Sequence, residues 1–148
     1  MTERRRRSQR GNAMLEFACG WFLVWVLFAG VYEFGYSFYV YNVLLTSVSD
    51  AAELGSKLDY DTGAPSTYTT SLTNMALYGD EVAGTKTLIP GLTSSNVSVV
   101  VNLNGGYPTD VTVKIINFSL NTFFQTFTFN GKPRVTALYM GHVVCASC

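Results

Sequence analysis

The chain has 148 residues, enough for one small domain and an additional segment. Its formal net charge is zero, but the first ten residues hold five of the ten basic and one of the ten acidic side chains, so the remainder carries a net charge of −4. A basic tail on an acidic chain indicates contact with an acidic surface such as the cytoplasmic face of a membrane. Nucleic-acid binding is the poorer interpretation, because an apolar segment follows directly.

This apolar segment is long enough to approach the thickness of a bilayer. Phe17 to Tyr32 is a run of sixteen residues without a charge. At 1.5 Å per residue the run covers about 24 Å, and including residues 13–15 makes up the rest of the roughly 30 Å hydrocarbon core. No small-residue cleavage site of the secretory type follows it, so we expect the segment to stay in the mature protein.

We therefore predict a transmembrane helix over about residues 13–34. By the positive-inside rule the basic leader stays in the cytoplasm and the C-terminal domain lies outside it. The residues that set this topology are Arg4, Arg5, Arg6, Arg7 and Arg10.

Glu16 is the one acidic residue inside this apolar zone. A carboxylate there costs on the order of 2.5–3.5 kcal/mol on insertion scales, so it normally has a partner or a role. The alternative is that Glu16 lies at the cytoplasmic interface and is simply solvated.

The N-terminal pattern resembles a known signal. Gly11, four uncharged residues, Glu16 and an apolar helix are similar to a type III (prepilin) signal. More narrowly, RGNAMLEFA, then YEFGYSFYVYNVL, then AAELGSKL, over about residues 8–58, resemble the TadE-like (TadE/TadF) pseudopilins of the tight-adherence (Tad) type IV pilus system. The stretch NMALYGDEVAGTKTLIPGLTSSNVSVVV shows a looser similarity to their ectodomains.

The resemblance implies a structural, non-enzymatic role. A prepilin peptidase would cleave between Gly11 and Asn12, and Glu16 of one subunit would pair with the new N-terminal amine of a neighbour and set the register. The implied partners are that peptidase, other Tad pilins and pseudopilins, and the inner-membrane assembly platform. The implied location is the bacterial inner membrane, with the C-terminal domain periplasmic or incorporated into a pilus that serves cell adhesion and biofilm formation.

The helix is predicted to continue beyond the membrane, from about residue 12 to about residue 58. Its expected packing stripe repeats at spacings of three and four. We place in it Phe34, Phe38, Tyr41, Leu45, Val48 and Ala52. Tyr32, Tyr36, Tyr39 and Tyr41 are expected to form an aromatic belt at the outer interface. Glu33 either ends the span at the outer surface, which we favour, or makes a subunit contact.

Residues 59–148 are predicted to form an extracytoplasmic domain, so the fold class is α+β and pilin-like. A turn around Pro65 ends the long helix. A short helix follows, with Gly79 near its C-terminal cap. The expected strands of a three- or four-stranded antiparallel sheet lie around residues 97–101, 111–116, 123–129 and 135–144.

No catalytic or metal-binding pattern in the sequence is convincing. His142 has no sequence neighbours that indicate a triad, and no phosphate-binding glycine loop or HExxH motif occurs. For Cys145 and Cys148 we prefer a disulfide between the two. The second alternative is free thiols or pairing between chains, and the third is a contribution to a metal site. Cys19 is expected to be a small buried residue. We predict no cofactor, no metal and no small-molecule substrate.

Three functions remain from the sequence. The first is a minor pseudopilin, cleaved after Gly11. The second is an uncleaved single-pass membrane protein whose ectodomain binds an envelope partner. The third is a secreted or tethered enzyme, which the absence of a catalytic constellation disfavours. The spacing from Gly11 to Glu16 favours the first function over the second.

Overall fold

The computed structural model describes residues 3–144, with side chains from Asn12 onward. Two α-helices, a short 3-10 helix and seven strands follow one another along the chain. Their bounds are α1 Glu3–Lys57, β1 Tyr60–Asp61, α2 Pro65–Tyr78, the 3-10 helix Ser94–Asn96, β2 Val97–Asn104, β3 Tyr107–Ile115, β4 Phe118–Asn121, β5 Thr126–Phe129, β6 Arg134–Leu138 and β7 Val143–Val144. A long N-terminal helix followed by small, mainly antiparallel sheets confirms the predicted α+β class.

The chain divides into two compact units between Tyr36 and Ser37. The described part of the first unit is the N-terminal portion of α1. The second unit contains the rest of α1, together with α2 and all seven strands.

The core of the second unit is built on one face of α1. Val40, Leu44 and Val48 are buried there, and they belong to the same apolar cluster as Leu72 of α2 and Val111 of β3. The buried face therefore lies one residue before the predicted stripe over most of its length. Only the last two members of the stripe, Val48 and Ala52, are in the core.

The displaced members of the predicted stripe are largely exposed. Phe34 is 60% exposed, Phe38 66% and Leu45 39%. The buried face and the predicted stripe both repeat at spacings of three and four, so periodicity alone does not show which of the two is buried. The aliphatic face is buried because small and branched side chains allow α2 and the sheet to approach the helix, whereas phenylalanine rings would hold them apart.

Gly55 shows how close this approach is. A Cβ atom at Gly55 would lie 2.9 Å from Leu72 Cδ1 and 3.2 Å from both the Tyr68 hydroxyl and Val111 Cγ1. Glycine therefore leaves room for α2 and β3 to pack closely against α1 at this position.

The last turn of α1 is capped by distant parts of the chain. Carbonyl groups at a helix C-terminus have no partner within the helix. The Tyr68 hydroxyl donates to the Gly55 carbonyl, and the Met140 amide donates to the Ser56 carbonyl at 2.8 Å. The Tyr139 hydroxyl donates to Leu58 O at 3.1 Å. Residues of α2 and of the C-terminal segment thus determine where the long helix ends.

The second helix and the first hairpin follow the sequence prediction. Pro65 occupies the first turn of α2, and Gly79 caps its C-terminus with φ 75°. Strands β2 and β3 form an antiparallel hairpin closed by Gly105 and Gly106, which have φ 62° and 87°. Both values lie in the left-handed region that glycine favours, as a type I′ turn requires. Strand β6 pairs antiparallel with β3 and completes this sheet.

The predicted strand over residues 135–144 is wrong in its extent. The chain leaves the sheet after Leu138 and forms β7, which pairs in parallel with β1. A Cβ atom at Gly141 would lie 2.8 Å from the Leu58 carbonyl, so the chain passes very close to the end of α1. The turn-rich break expected after α1 contains β1, which the sequence analysis missed. Strands of two residues are too short to show an alternating pattern.

A valine at Gly55 tests the close packing of α1. We expect Gly55→Val to destabilise the second unit by about 1–3 kcal/mol, because overpacking displaces Leu72 and Val111. The measurement is thermal unfolding of the full chain in mild detergent, followed by intrinsic fluorescence. Gly35→Val is the matched control, since an added Cβ there meets no atom within 4 Å. Equal melting temperatures for the two variants would contradict this packing.

The buried hydroxyl of Tyr68 predicts an alkaline loss of stability. Burial, with smaller contributions from Tyr139 and Tyr60, raises the pKa of Tyr68 well above its ordinary value. The folded state therefore holds this proton more tightly than the unfolded state. Its stabilising contribution is complete below the unfolded pKa of about 10 and declines as the pH rises further.

Urea unfolding at a series of pH values measures this decline. We expect Tyr68→Phe to be less stable at pH 8 by about 1 kcal/mol, since the Gly55 carbonyl loses its donor, and to show a flatter dependence above pH 10. The exposed Tyr107→Phe serves as the control. A Tyr68→Phe profile parallel to that of the unmodified protein would refute the assignment.

Candidate functional site: the N-terminal processing and assembly segment

The predicted processing site lies within α1. The backbone is helical on both sides of the Gly11–Asn12 bond. Glycine weakens a helix interior by about 1 kcal/mol relative to alanine, so Gly11 marks a point where the helix opens more easily. The side chains of the five leader arginines lie outside the described residues, and their role in topology stays a prediction.

Glu16 lies one helical turn after Asn12. Residues four apart occupy the same face of a helix, so the carboxylate and the amine that cleavage would create share one side of α1. The Glu16 side chain is exposed within the chain.

The segment after Glu16 is apolar on every face. Its large side chains are all exposed, from Phe17 at 74% to Val31 at 74%. The helix Asn12–Lys57 contains a window of mean hydropathy 1.9 with no residue buried inside the described chain. A helix that is hydrophobic all round is typical of a membrane span. These features, found near the N-terminus, fit a single-pass membrane protein.

Cys19 belongs to the same exposed surface. The expectation that it is buried is wrong for the described chain, because the neighbouring side chains of this stretch are exposed as well. The thiol therefore faces whatever surrounds the apolar segment.

The end of the apolar segment carries aromatic residues and one buried acid. Tyr32 and Tyr36 stack one turn apart, with ring centroids 6.4 Å apart and an angle of 4° between the planes. Glu33 is only 5% exposed, whereas Tyr32 and Phe34 are 72% and 60% exposed. Whether Glu33 ends the span at the outer surface or makes a subunit contact stays a prediction.

A second face of α1 remains open in the second unit. An open cavity of about 400 Å³ runs beside it, bordered by Tyr39, Asn42, Val43 and Thr46 on the helix and by Leu88 from the loop after α2. Tyr39 is 64% exposed. This face carries aromatic, polar and aliphatic side chains, unlike the uniformly apolar segment before it.

The remaining predicted chemical groups do not form a site in the described chain. Cys145 and Cys148 lie outside the described residues, so their pairing stays a prediction. The His142 amide donates to Asp59 Oδ1 at 3.3 Å, and this contact belongs to the capping of α1. Between residues 12 and 144 no three His, Cys, Asp or Glu side chains come together as metal ligands do.

Comparison with known protein families places the N-terminal segment beside one of them. The model of the family described as TadE-like protein matches residues 11–53. Searches of curated proteins and of solved structures each gave no significant match. The matched range begins at the predicted processing glycine and includes Glu16, the apolar segment and most of the buried face of α1. It confirms the resemblance on which the N-terminal interpretation rests: residues 11–53 are similar to the TadE-like family, which is related to the tight-adherence pilus.

Proposed function

We propose that this protein is a minor pseudopilin that a prepilin peptidase processes after Gly11 and that acts in assembly of a tight-adherence pilus for surface attachment. The observation that carries the proposal is the coincidence of three features within one segment. The TadE-like match starts at Gly11, Glu16 follows at the spacing of a prepilin signal, and the helix beyond it is apolar and exposed on every face.

Cleavage after Gly11 changes the electrostatics of the segment. It removes the arginines that anchor the leader in the cytoplasm and creates a positive amine on Asn12. Glu16 then lies in the first turns of the shortened helix, where the positive end of the helix dipole stabilises a carboxylate by about 0.3–1 kcal/mol. The Glu16 carboxylate, which is costly on its own in the membrane, thus lies close to a positive amine after cleavage.

Assembly would move the apolar segment from lipid to the helices of other subunits. Lipid and helix are equally apolar, so this transfer is driven by close packing and polar contacts rather than by the hydrophobic effect. A pair between Glu16 of one subunit and the Asn12 amine of its neighbour offsets the desolvation of both groups. Because the pair forms at only one axial offset, it sets the register between subunits.

The proposal implies a specific cellular setting. The precursor lies in the bacterial inner membrane with its N-terminus in the cytoplasm and the domain that follows the span in the periplasm. Its partners are the prepilin peptidase, other Tad pilins and the inner-membrane assembly platform. The protein itself has no enzymatic role in this account and binds neither nucleic acid nor a small-molecule substrate.

Replacing the processing glycine tests the first step. We expect Gly11→Leu to accumulate as the full-length precursor in cells with an active peptidase, because a side chain at the scissile bond blocks backbone access. Mass spectrometry of the protein from native membranes distinguishes the two forms. Gly20→Leu is the matched control, as an added Cβ there meets no atom within 4 Å, and it should be cleaved normally. Normal cleavage of Gly11→Leu would contradict processing after Gly11. An unmodified protein that stays full-length in the same cells would instead favour the uncleaved single-pass protein with an ectodomain ligand.

Neutralising Glu16 tests the second step separately. We expect Glu16→Gln to be cleaved but to enter the pilus fraction at least about tenfold less, since losing one partner of a buried ion pair costs about 3–5 kcal/mol. Immunoblots of sheared pili and of membranes measure this ratio. Glu53→Gln is the control, because its ion pair with Lys57 is exposed. Undiminished incorporation of Glu16→Gln would contradict the proposed pairing between Glu16 and the Asn12 amine of a neighbouring subunit.

A further inference from the structure

One edge of the three-stranded sheet is open in the second unit. The sheet has the strand order β2–β3–β6, so β6 is an edge strand, and no strand of the described chain pairs with its outer side. Its ladder with β3 runs from Lys114 opposite Arg134 to Asp110 opposite Leu138 without a register shift. The edge is therefore regular enough to accept a further strand. No function proposed above uses it.

The hydrogen-bonding groups at this edge follow from the ladder. The Ile115 amide donates to the Pro133 carbonyl at 3.1 Å, and the Tyr139 amide donates to the Thr109 carbonyl at 3.0 Å. In an antiparallel pair, residues opposite each other alternate between hydrogen-bonded and non-hydrogen-bonded pairs. The N–H and C=O groups of residues 134, 136 and 138 therefore point away from β3. Within the part of the chain that the structure describes, these groups have no hydrogen-bond partner.

The side chains of the same three residues lie on the outer face of the sheet. The odd-numbered residues of β3 and β6 face the core; they include Val111, Val113, Val135 and Ala137. Side chains alternate between the two faces of a sheet. Arg134, Thr136 and Leu138 therefore lie on the outer face, where all three are exposed, Leu138 by 75%. A strand added at this edge would meet a cation, a hydroxyl and an apolar side chain in turn.

The cation at this edge has a neighbour of the same charge. Lys114 of β3 lies directly opposite Arg134, so their Cβ atoms are about 4.5–5.5 Å apart. Among residues 12–144, neither side chain has an ion pair or a hydrogen bond. Asp110, on the same face, is four residues from Lys114, or about 13 Å along the strand, and accepts a hydrogen bond from Asn102 at 2.7 Å. Like charges opposite each other are destabilising, so this end of the face favours an anionic partner.

The sequence after β3 begins supplies no acid for this pair. Residues 111–148 contain three basic side chains, Lys114, Lys132 and Arg134, and no acidic one, whereas residues 50–110 contain seven acidic and two basic side chains. A single charged residue is a common protection of an edge strand against random pairing. A second cation directly beside it goes beyond this protection and indicates selection of a negative group.

We propose that the outer edge of β6 binds an extended acidic segment of another protein, which adds antiparallel to β6 as a further strand. Main-chain hydrogen bonds to the edge would supply affinity, and side-chain contacts would supply selectivity. A carboxylate of the segment would lie opposite Arg134 and within reach of Lys114, and an apolar side chain would lie opposite Leu138. From its N-terminus, the recognised segment therefore has an apolar residue, a polar residue two positions later and an acidic residue two positions after that. The inference does not depend on cleavage after Gly11.

Titration with short peptides, followed by NMR, tests this edge. The full chain, labelled with ¹⁵N, is held in micelles of an uncharged detergent. The probe is the peptide Gly-Leu-Val-Thr-Val-Glu-Gly, acetylated and amidated so that its glutamate carries the only charge. A second peptide with lysine in place of the glutamate is the control. Chemical shifts give the affinity, and amide exchange shows where the peptide binds.

We expect the glutamate peptide to slow amide exchange at Thr136 and Leu138, whose N–H groups face the edge. It should bind at least about tenfold more tightly than the lysine peptide, because like charges across an interface are unfavourable, and added salt should reduce the difference. Failure of the glutamate peptide to bind, equal affinity for the two peptides, or slower exchange confined to the opposite edge strand, β2, would each overturn the proposal.

Two pairs of variants separate the backbone contacts from the charge. Thr136→Pro removes an outward N–H and no bond to β3, as proline at an edge position allows, and should lower the affinity about tenfold. Thr136→Val is its control, since it also loses the hydroxyl contact with Thr112 at 2.8 Å but keeps the N–H. Arg134→Glu should abolish the preference for the glutamate peptide. Lys86→Glu, the same charge change at another exposed residue, should preserve it.

Thermal melting of each variant shows whether it is folded. Equal affinities of folded Thr136→Pro and Thr136→Val would overturn strand addition, and an undiminished preference in Arg134→Glu would overturn the role of charge. If Thr136→Pro does not fold, the exchange at Thr136 and Leu138 and the Arg134→Glu variant decide the question. Slow exchange at these two amides without peptide, increasing with protein concentration, would assign the edge to a second copy of this chain and overturn the acidic partner.

Discussion

The structure depends on one constraint: α1 is a single helix whose two parts face different surroundings. From Phe17 to Val31 its large side chains are apolar and exposed in every direction, so this part requires lipid or other helices around it. From Val40 onward only one narrow face is buried, and that face consists of aliphatic and small residues. The change from an all-round apolar surface to a one-sided face marks where the helix begins to serve as the core of a folded domain.

The C-terminal end of α1 shows why the domain cannot be separated from the helix. The free carbonyl groups of its last turn accept hydrogen bonds from Tyr68 of α2, from Tyr139 and from the Met140 amide. Residues far apart in sequence thereby close around one helix end, and Gly55 allows α2 and β3 to reach it. In the proposed function, the same helix that packs between pilus subunits is also the element on which the domain folds.

The sequence predicted the features that have a local physical signal. The apolar segment, the glycine cap of α2 and the Gly105–Gly106 turn each follow from composition or from backbone conformations that glycine favours. The predicted stripe differs from the buried face of α1 by one residue over most of its length, because both repeat at the same spacing and only the aliphatic face allows close packing. The β1–β7 pair joins residues more than eighty positions apart, and no local pattern marks it. The prepilin-type roles of Gly11 and Glu16 came from the resemblance, and the match over residues 11–53 supports the family rather than each role.

The most direct measurement is the N-terminal sequence of the protein recovered from native membranes of cells with an active prepilin peptidase. The account predicts a chain that begins at Asn12, with Glu16 as its fifth residue. The leader arginines would then be absent from the protein available for assembly. A mature chain that still carries Arg4 to Arg10 would contradict the account. The protein would then be an uncleaved single-pass membrane protein, and Glu16 an interfacial carboxylate without a partner subunit.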